Sequence, residues 1–580
     1  MIHTIIKKNA YQDSINLMLL TNSLTTTEGI NKVQVMMATP ANKDIFKDAG
    51  LYTDELENAE SNDMAIVVDT DVEGKADEVL EKVDDYLKDQ SISADEEGFK
   101  TVRTWDKAEK ALPDANVALI SVPGEYAAEE AENALDRGMH AFIFSDNVPL
   151  EDEVKIKQKA NEKGLVVMGP DCGTGILDGI PMAFANVVNK GKIGVVGASG
   201  TGIQEVTTII DRMGEGISHA IGTGGRDLKE PVGAITMMEG IKALENHNAT
   251  DVIVVVSKPP AKEVRDEVVE LLHNVSKPVV TIFLGEKPEQ HEGNVYQAYT
   301  LEETARIAVD LAKNNDIKDD YNDGDYDVDR SGMKDSQTAI KGFYSGGTLA
   351  SEAAVLMTDA LGEGHIGDVE GYVLKTGAHE VLDLGDDEYT QGKPHPMIDP
   401  ATRSEFIAKA AQDKETAVIL LDIVLGYGSH DDMVSALLPA INQAKSEAEK
   451  DGRKLNVIAT VCGTLNDPQN YNEQRKHLED AGIIVKDTNN QAVRTALNIV
   501  GKKVNDVKKA HVDKTATKAF DLSVSEQMTD LLNNKPRVIN VGLKSFTNAV
   551  TDFGGKVVQY DWRPVAGGDK RMRKILSLLK

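Results

Sequence analysis

Two segments of this chain have the same glycine-containing turn between an apolar strand and a helix. KIGVVGASGTGIQEVTTIIDRMG starts at Lys192, and AIKGFYSGGTLASEAAVLMTDALG starts at Ala339. Both contain the pattern [SG]-G-T-x-x-x-E, so that Gly200, Thr201 and Glu205 correspond to Gly347, Thr348 and Glu352. Such a turn leaves the first N–H groups of the helix free, and the helix dipole adds partial positive charge there. Two such turns predict a site that binds one anion from two sides.

The predicted phosphate- or substrate-binding residues lie in these turns and at neighbouring strand ends. They are Ser199, Gly200, Thr201, Gly224, Gly225, Gly346, Gly347, Thr348 and Asn466. The alternative for the Ser and Thr residues is an ordinary helix N-cap, which these residue types provide in any protein. The repetition of the turn favours phosphate binding.

Arg226 lies in a second glycine-rich strand end, GTGGRD, from Gly222 to Asp227. Its guanidinium group could pair with a carboxylate or a phosphate and makes it a candidate catalytic residue. A flexible turn with a surface arginine is an equally good interpretation.

The segment from Asp383 to Asp399 concentrates charged side chains, among them Glu388 and Lys393. Asp386 and Asp387 are candidate ligands for a divalent metal such as Mg²⁺, and Asp387 is also a candidate catalytic residue. His395 lies between two prolines, which restrict its backbone, and is a candidate for orienting substrate. The alternative is an acidic loop that docks on another subunit. No second histidine has helical metal-ligand spacing, so the sequence does not predict a zinc site.

Two further strand ends carry polar or thiol side chains. Cys172 and Cys462 follow strands, but no histidine stands beside either one, which favours small, partly buried side chains. The polar residues after the second of these strands could hydrogen-bond a planar amide substrate; they are Thr464, Asn466, Asp467 and Asn470.

Composition excludes several classes of function. The net charge of −32 over 580 residues argues against nucleic-acid and anionic-membrane binding, because the basic surface that both need is missing. Two cysteines rule out a disulfide framework and suit a reducing compartment. No apolar run is long enough for a transmembrane helix, and MIHTIIKKNAYQDS lacks a signal-peptide pattern. We therefore expect a cytoplasmic protein.

The alternation of strands and helices predicts a multidomain α/β protein with parallel sheets. The predicted divisions are a ferredoxin-like α+β module at 1–100, a Rossmann-like unit at 101–186, an α/β unit at 187–313, an acidic linker at 314–338, a second α/β unit at 339–503, a helical connector at 504–535 and a small strand-helix-strand segment at 536–580. GPDCGTGI follows a strand of the Rossmann-like unit, where open α/β sheets place their ligands.

Residues 115–300 resemble the α subunit of the succinyl-CoA synthetase superfamily. The matching features are a strand ending in V-P, GPDCGTGI beside that family's G-P-N-C-P-G, and SGTGIQE beside its S-G-T-L-x-x-E. The unit at 339–503 takes the place of the family's β-subunit ligase domain. LDLGDDEYTQGKPHPMIDP, from Leu382 to Pro400, resembles a signature of the FdrA family, in which both halves lie in one chain. The resemblance implies a Rossmann-like CoA-binding-type domain and two flavodoxin-like domains.

The chain departs from the synthetase pattern in two places. No glycine-rich loop for the CoA phosphates occurs before residue 101, so CoA is not expected as a ligand. The R-M-G-H-A-G segment of the family's phosphohistidine is replaced by GEKPEQHEGNVYQ. His291 is nearby, but an exposed loop histidine is favoured over a phosphoryl carrier.

The FdrA resemblance implies a subunit of a multisubunit oxamate carbamoyltransferase of purine and allantoin degradation. Such an enzyme converts carbamoyl phosphate and oxamate to oxalurate and phosphate, and needs neither CoA nor a phosphohistidine. The implied partners are other subunits of the same complex and a small anionic acyl or carbamoyl phosphate. The alternatives are a nucleotide-dependent acyl-CoA synthetase and a non-catalytic scaffold subunit.

The C-terminal segment from RVINVGL to WRPVAGGD resembles the opening of a partner subunit found beside FdrA proteins. This resemblance implies that Trp562 and its neighbouring strands meet another protein surface. We therefore expect truncation after Lys535 to leave a soluble chain that no longer assembles.

Overall fold

The computed structural model describes residues 1–8, 10–12, 14–25, 27–61, 63–96, 100–362, 371–390 and 393–564. The predicted α/β class is confirmed, with four sheets covered by helices. Among the helices of these residues, none combines the length and apolar character that crossing a bilayer requires.

The first module has three antiparallel strands in the order β1-β3-β2, with helices packed on them. Its elements are β1 (Ile2–Lys7), α1 (Ser14–Thr25), β2 (Lys32–Met37), α2 (Pro40–Asp48), α3 (Asp54–Glu57), β3 (Met64–Asp69) and α4 (Lys75–Glu96). This order agrees with the predicted small α+β module.

Residues 100–168 alternate strands and helices. The elements are β4 (Lys100–Val102), α5 (Trp105–Ala111), β5 (Val117–Ile120), α6 (Gly124–Asp136), β6 (His140–Ile143), α7 (Leu150–Glu162) and β7 (Val167–Met168). The strands β5, β6 and β7 are short, mostly apolar and buried, as expected of a parallel sheet with helices on both faces, whereas β4 has two exposed residues.

The next unit has the first glycine turn. Its elements are β8 (Thr174–Leu177), β9 (Ile180–Ala183), β10 (Lys190–Gly197), α8 (Gly200–Arg212), β11 (Ile217–Gly222), α9 (Ile235–Asn246), β12 (Val252–Ser257), α10 (Lys262–Leu272), β13 (Val279–Phe283), β14 (Gln290–Glu292), β15 (Val295–Gln297) and α11 (Leu301–Ala312). The predicted boundary at residue 186 is too late, because the hairpin β8–β9 pairs with β11 and belongs to this sheet.

The unit with the second turn follows the acidic segment. Its elements are β16 (Ala339–Tyr344), α12 (Gly347–Leu361), β17 (Leu374–Thr376), β18 (His379–Asp383), α13 (Asp387–Thr390), α14 (Ala401–Gln412), β19 (Thr416–Val424), α15 (Met433–Lys450), β20 (Asn456–Cys462), α16 (Tyr471–Asp480), β21 (Ile484–Lys486) and α17 (Asn489–Ile499). The sheet order is β17-β18-β16-β19-β20-β21, and its pairs are parallel except at β17.

The last elements return to sheets formed earlier in the chain. They are β22 (Ala510–Val512), α18 (Glu526–Asn533), β23 (Arg537–Val541), α19 (Phe546–Asp552) and β24 (Lys556–Tyr560). The predicted helical connector is therefore mostly irregular, with one helix, α18, near its end. β22 joins the edge of the nine-stranded sheet β22-β14-β15-β13-β12-β10-β11-β8-β9.

The strands β23 and β24 complete the sheet of residues 100–168. Its order is β4-β24-β23-β5-β6-β7, and all pairs are parallel. Trp562 is 5% exposed and packs on Tyr11 and Tyr126. The prediction that this segment faces another protein is wrong for the described part of it, because the segment fills the centre of an internal sheet. Residues 565–580 of the segment lie outside the described residues.

Candidate functional site

The two glycine turns meet at the interface between their units. The backbone N–H of Thr348 donates to the Thr201 hydroxyl at 3.2 Å, and the hydroxyls of Ser199 and Thr348 hydrogen-bond each other. Each turn starts a helix of more than ten residues, α8 and α12. The described contacts thus place two helix N-termini side by side, although the turns are far apart in sequence.

Polar groups behind the second turn fix its position. The backbone N–H groups of Ser345 and Gly346 donate to the Asp422 carboxylate at 2.8 and 2.7 Å. Asp422 is fully buried and pairs with Arg403 at 3.1 Å. Ser199 caps the first turn by accepting from the Gly202 N–H at 3.1 Å.

Two backbone donors at these turns are not used inside the protein. Among the described residues, none provides a hydrogen-bond acceptor for the N–H of Gly200 or of Gly347. Both glycines are partly open to solvent, unlike the residues that follow them. These donors are available to a ligand at the surface of the paired turns.

Lys258 and Asp383 lie directly against the second turn. A Cβ atom on Gly347 would lie 2.2 Å from Asp383 Oδ2 and 3.5 Å from Lys258 Nζ. Lys258 follows β12 and Asp383 ends β18, so the carboxyl ends of strands from two sheets meet here. We use "turn cleft" for the space lined by Gly200, Gly347, Lys258, Asp171, Asp383 and His395.

Carboxyl groups in the turn cleft have altered proton affinities. Burial raises the pKa of Asp383 to about 6, although the Lys258 ammonium opposes the shift. Burial also raises the pKa of Asp171 to about 6, and repulsion from Asp146 adds to the effect. By surface area, however, Asp171 is exposed and Asp383 half-buried, so both carboxyls keep contact with water and the direction of each shift carries more weight than its size. Such shifts in a cleft are typical of functional sites.

His395 supplies an uncharged N–H group beside Asp383. Its Nδ1 accepts the backbone N–H of Met397 at 3.2 Å, so the proton of the neutral ring is on Nε2. Burial, aided by the charge of Arg403, lowers the pKa of His395 to about 4, and the ring is neutral at pH 7. Nε2 lies 2.6 Å and Asp383 Oδ1 3.2 Å from the position that a Cβ on Gly385 would take.

Arg226 reaches the rim of the turn cleft but is bonded within the protein. Its guanidinium group pairs with Glu153 at 2.9 Å and donates to the Val148 carbonyl at 2.8 Å. Its charge opposes the rise in the pKa of Asp171 that burial causes. Gly224 has φ +83°, and a Cβ there would meet the Pro170 carbonyl at 2.2 Å, so this glycine is required by the close approach of two backbone segments. Gly225 is open, with Asp171 Oδ2 3.6 Å from its Cβ position.

The polar residues after β20 hold the two units together. The Asp467 carboxylate accepts from the Val187 N–H at 2.7 Å and from the Asn186 amide at 2.8 Å. Thr464 donates to the Val187 carbonyl at 2.5 Å, and the Asn470 side chain caps α16. Asn466 is exposed on the same loop. The suggestion that Thr464 and Asp467 bind an amide substrate is corrected, because both are buried and their side-chain oxygens are bonded within the protein. Asn470 is exposed, and its side-chain oxygen caps α16.

Both cysteines are unreactive in this environment. Cys172 and Cys462 are buried. Burial raises the pKa of Cys172 to about 12 and that of Cys462 well above its ordinary value, so both remain thiols. This agrees with the small buried side chains favoured from the sequence.

Asp386 and Asp387, proposed as metal ligands, lie close enough to the turn cleft for their charges to raise the pKa values of Asp383 and Asp171. The Asp386 carboxylate accepts the Glu388 N–H at 3.0 Å at the start of α13, and Asp387 is exposed. No group of three or more Asp, Glu, His or Cys side chains suited to a metal ion occurs in the part of the chain that the structure describes. His291 is not the exposed loop residue expected: it lies in β14, is 7% exposed and accepts the Gln297 N–H.

Lys258, Asp146, Asp171 and Asp383 were not singled out by type or spacing. Each stands at or just after the end of a strand: β12, β6, β7 and β18 respectively. In open α/β sheets this is where ligands bind, so strand ends were the available signal. These residues come together because three sheets pack against one another, and that packing cannot be predicted from the local sequence pattern.

Three family models match the chain. They describe an AllF heavy-metal-associated domain at residues 1–103, a CoA binding domain at 188–285 and a CoA-ligase domain at 343–499. Residues 1–103 contain no cysteine.

Individual relatives agree with these matches. The chain is 40% identical over 493 residues to the uncharacterized protein YahF of Escherichia coli, covering 83% of this chain and 95% of YahF. It is 26% identical over 190 residues to subunit alpha 2 of the ADP-forming succinate–CoA ligase of Archaeoglobus fulgidus, covering 32% of this chain and 64% of that subunit.

A solved structure gives a weaker likeness. The apo form of the dinucleotide-forming acetyl-coenzyme A synthetase 1 of Ca. Korarchaeum cryptofilum has a TM-score of 0.28 at 14% identity, covering 67% of this chain and 84% of that one. A TM-score this low supports no argument about function. The family assignment rests on the sequence relatives and the three domain matches. The chain belongs to the FdrA family of succinyl-CoA-synthetase-like proteins.

Proposed function

We propose that this chain is the phosphate-binding subunit of a carbamoyltransferase-type enzyme that acts on carbamoyl phosphate and oxamate together with other subunits. The oxamate nitrogen attacks the carbamoyl carbon, the bond from that carbon to the phosphate oxygen breaks, and the nitrogen gives up a proton. The products are oxalurate and phosphate. The observation that carries the proposal is the contact between the turns of Gly200 and Gly347, which have two unused N–H groups, with Lys258 next to Gly347.

The phosphate would lie on the open face of the paired turns. The N–H groups of Gly200 and Gly347 are suited to its oxygens, and the two helix dipoles favour negative charge there. Lys258 adds a full positive charge within reach of Gly347. The carboxylates of the turn cleft repel a phosphate but accept hydrogen bonds from the N–H groups of the carbamoyl moiety and of oxamate. The two kinds of group would therefore orient the two ends of the substrate.

His395 and Asp383 have suitable states for the transfer step. A neutral imidazole with its proton on Nε2 can donate to the carbamoyl oxygen as negative charge develops there. A carboxyl group with a pKa of about 6 can accept the proton from the attacking nitrogen near neutral pH. This assigns His395 and Asp383 to the chemistry and leaves Arg226 as a group that shapes the rim.

The test removes the lysine charge in the assembled enzyme. We expect Lys258→Met to lower phosphate-dependent cleavage of oxalurate by roughly 10–100-fold, because the phosphate loses its charged partner. Lys262→Met is the matched control, since that lysine is exposed on α10 and pairs with Asp266 at the surface. Unchanged turnover in the Lys258→Met complex would contradict the proposal and favour a scaffold role.

The two glycines test whether both turns act on one ligand. Gly200→Ala places its Cβ at an ordinary 3.4 Å from Thr174, so the open face is obstructed with little effect on folding. Gly200→Val and Gly347→Val should each weaken phosphate binding, and the double change should cost less than the sum because both act on one site. Circular dichroism separates loss of binding from loss of folding, which is a risk at Gly347 because of Asp383.

An acyl-CoA-synthetase-like activity is the second candidate. It is supported by the CoA-ligase match and by the complete doubly wound sheet that residues 100–168 form with β23 and β24. We still expect no tight CoA binding. Micromolar affinity for CoA in an isothermal titration of the full chain would favour the ligase candidate over the carbamoyltransferase.

A further inference from the structure

Arg403 places a positive charge in the interior of the second α/β unit, behind the turn of Gly347. It lies on α14 and is fully buried. Its Nη1 group donates to the backbone carbonyl of Asp422 at 2.5 Å and to Oδ1 of the same residue at 3.1 Å. Nε and Nη2 have no acceptor among the residues that the structure describes. Asp422 is therefore the group that fixes the guanidinium, and a buried carboxylate in turn needs such a cation.

Both oxygens of the Asp422 carboxylate bind the start of the second turn. Oδ1 accepts the Ser345 N–H, and Oδ2 accepts the Gly346 N–H and, at 3.0 Å, the Ser345 hydroxyl. A Cβ on Gly346 would lie 3.0 Å from Asp422 Oδ2 and equally close to the methyl carbon of Thr201. The backbone just before Gly347 is thus held between the carboxylate and the first turn. The direction of the unused Gly347 N–H follows from this arrangement.

The charge of Arg403 acts on His395 as well. Three elements supply the surroundings of the imidazole ring: α14 contributes Arg403, the end of β18 contributes Asp383, and the segment after β9 contributes Phe184. Burial lowers the pKa of His395, and the guanidinium charge of Arg403 adds to this effect. The ring therefore keeps its Nε2 proton as a hydrogen-bond donor without becoming a cation at neutral pH.

We propose that Arg403 is a positioning residue of the turn cleft, which fixes the Gly347 turn through Asp422 and keeps His395 an uncharged donor. The inference rests on the proposed function, because it assigns Arg403 a part in binding phosphate at the paired turns. Arg403 is too deeply buried to touch a substrate, so its effect passes through the other two residues. An uncharged His395 leaves Lys258 as the cation that binds the phosphate.

The test compares Arg403→Met with Arg403→Lys in the full chain. Calorimetric titration with inorganic phosphate reports on the turn, and NMR of the ring protons gives the titration midpoint of His395. The chain has 12 histidines, so the His395 signal is identified by its absence in His395→Gln. We expect Arg403→Met to weaken phosphate binding by about 10-fold, because the turn loses its fixed carboxylate, and to raise the His395 midpoint, because an opposing charge is lost. Arg403→Lys keeps that charge and should keep the midpoint low.

Two further variants separate the two effects from a general loss of packing. Asp422→Asn should weaken phosphate binding without raising the His395 midpoint, because an amide turns a donor toward the turn while the Arg403 charge stays. Arg453→Met is the matched control. Arg453 is a second buried arginine of the same unit, and it donates to the carbonyls of Ala411 and Asp413, away from the turns. We expect Arg453→Met to change neither readout.

A folded Arg403→Met chain with the phosphate affinity or the His395 midpoint of the wild type would overturn the proposal. So would an equal change in Arg453→Met. Circular dichroism checks folding, and if Arg403→Met does not fold, normal phosphate binding by Asp422→Asn would overturn the proposal instead. Failure of the proposed function looks different: the assembled wild-type enzyme would not cleave oxalurate with phosphate, while the His395 midpoint would still respond to Arg403→Met.

Discussion

Asp383 is the residue at which the geometry and the electrostatics of the turn cleft coincide. One of its oxygens takes the space that a side chain at position 347 would fill, and the other accepts the Gly385 N–H at 3.0 Å. Burial raises the pKa of Asp383, and the single positive charge of Lys258 does not compensate for burial and the neighbouring carboxylates. Glycine is therefore needed at position 347 to leave room for the Asp383 carboxyl group, whether or not a ligand is bound.

The raised pKa of Asp383 predicts how its replacement depends on pH. The folded protein binds the proton more tightly than the unfolded chain, so the stability that the carboxyl contributes is complete below its ordinary pKa of 3.8 and is lost as pH rises through about 6. We expect Asp383→Asn to raise the free energy of unfolding by about 1–2 kcal/mol at about pH 8, after allowance for partial exposure, and by roughly half that at about pH 5.

Urea denaturation of both proteins at the two pH values measures this difference. Glu388→Gln is the control, because that side chain is exposed on α13. A gain for Asp383→Asn that is as large at the lower pH would mean that the carboxyl titrates normally in the folded protein.

At the scale of elements, α8 and α12 are joined at their first residues. Thr348 uses its hydroxyl on Ser199 and its N–H on Thr201, so one residue couples the two units. We expect Thr348→Val and Ser199→Ala to destabilise the chain by about 1 kcal/mol each, with a coupling energy of about 0.5–1 kcal/mol in the double variant. Thermal unfolding of the four proteins in the cycle measures it, and strict additivity would mean that the turns are not energetically linked.

The sequence predicts the elements well and their pairing less well. The strands and helices at 187–313 and 339–503 follow from apolar runs and periodicity, and the two turns follow from their repeated pattern. The position of β23 in the middle of a sheet formed by residues 100–168 does not, because local patterns carry no signal for a partner four hundred residues away. The turns could be predicted as candidate site residues because their pattern is local and repeated. Lys258 and Asp171 could not, because only the packing of separate sheets brings them to the turns.

At the scale of the whole molecule, Glu130 joins the sheet of residues 100–168 to the C-terminal strand-helix-strand segment, because the indole N–H groups of Trp105 and Trp562 donate to its two oxygens. Glutamine has one carbonyl oxygen, so Glu130→Gln keeps one indole hydrogen bond and turns an amide donor toward the other indole. We expect a loss of about 1–3 kcal/mol in the free energy of unfolding, measured by far-UV circular dichroism in urea. Glu125→Gln on the same helix is exposed and should change little. An equal effect of the two changes would show that the joint is not a stabilising contact.

The position of the two tryptophans determines which part of the protein intrinsic tryptophan fluorescence monitors. The chain has two tryptophans, and both indoles donate to the Glu130 carboxylate where the C-terminal segment packs on the sheet of residues 100–168. Tryptophan fluorescence therefore monitors the surroundings of Glu130, and the other three sheets contain no tryptophan. Denaturation followed by tryptophan emission measures the unfolding of the sheet around Glu130. Denaturation followed by circular dichroism measures the loss of secondary structure in all units. The separation between the two midpoints is a direct reading of how cooperatively this sheet unfolds with the rest of the chain.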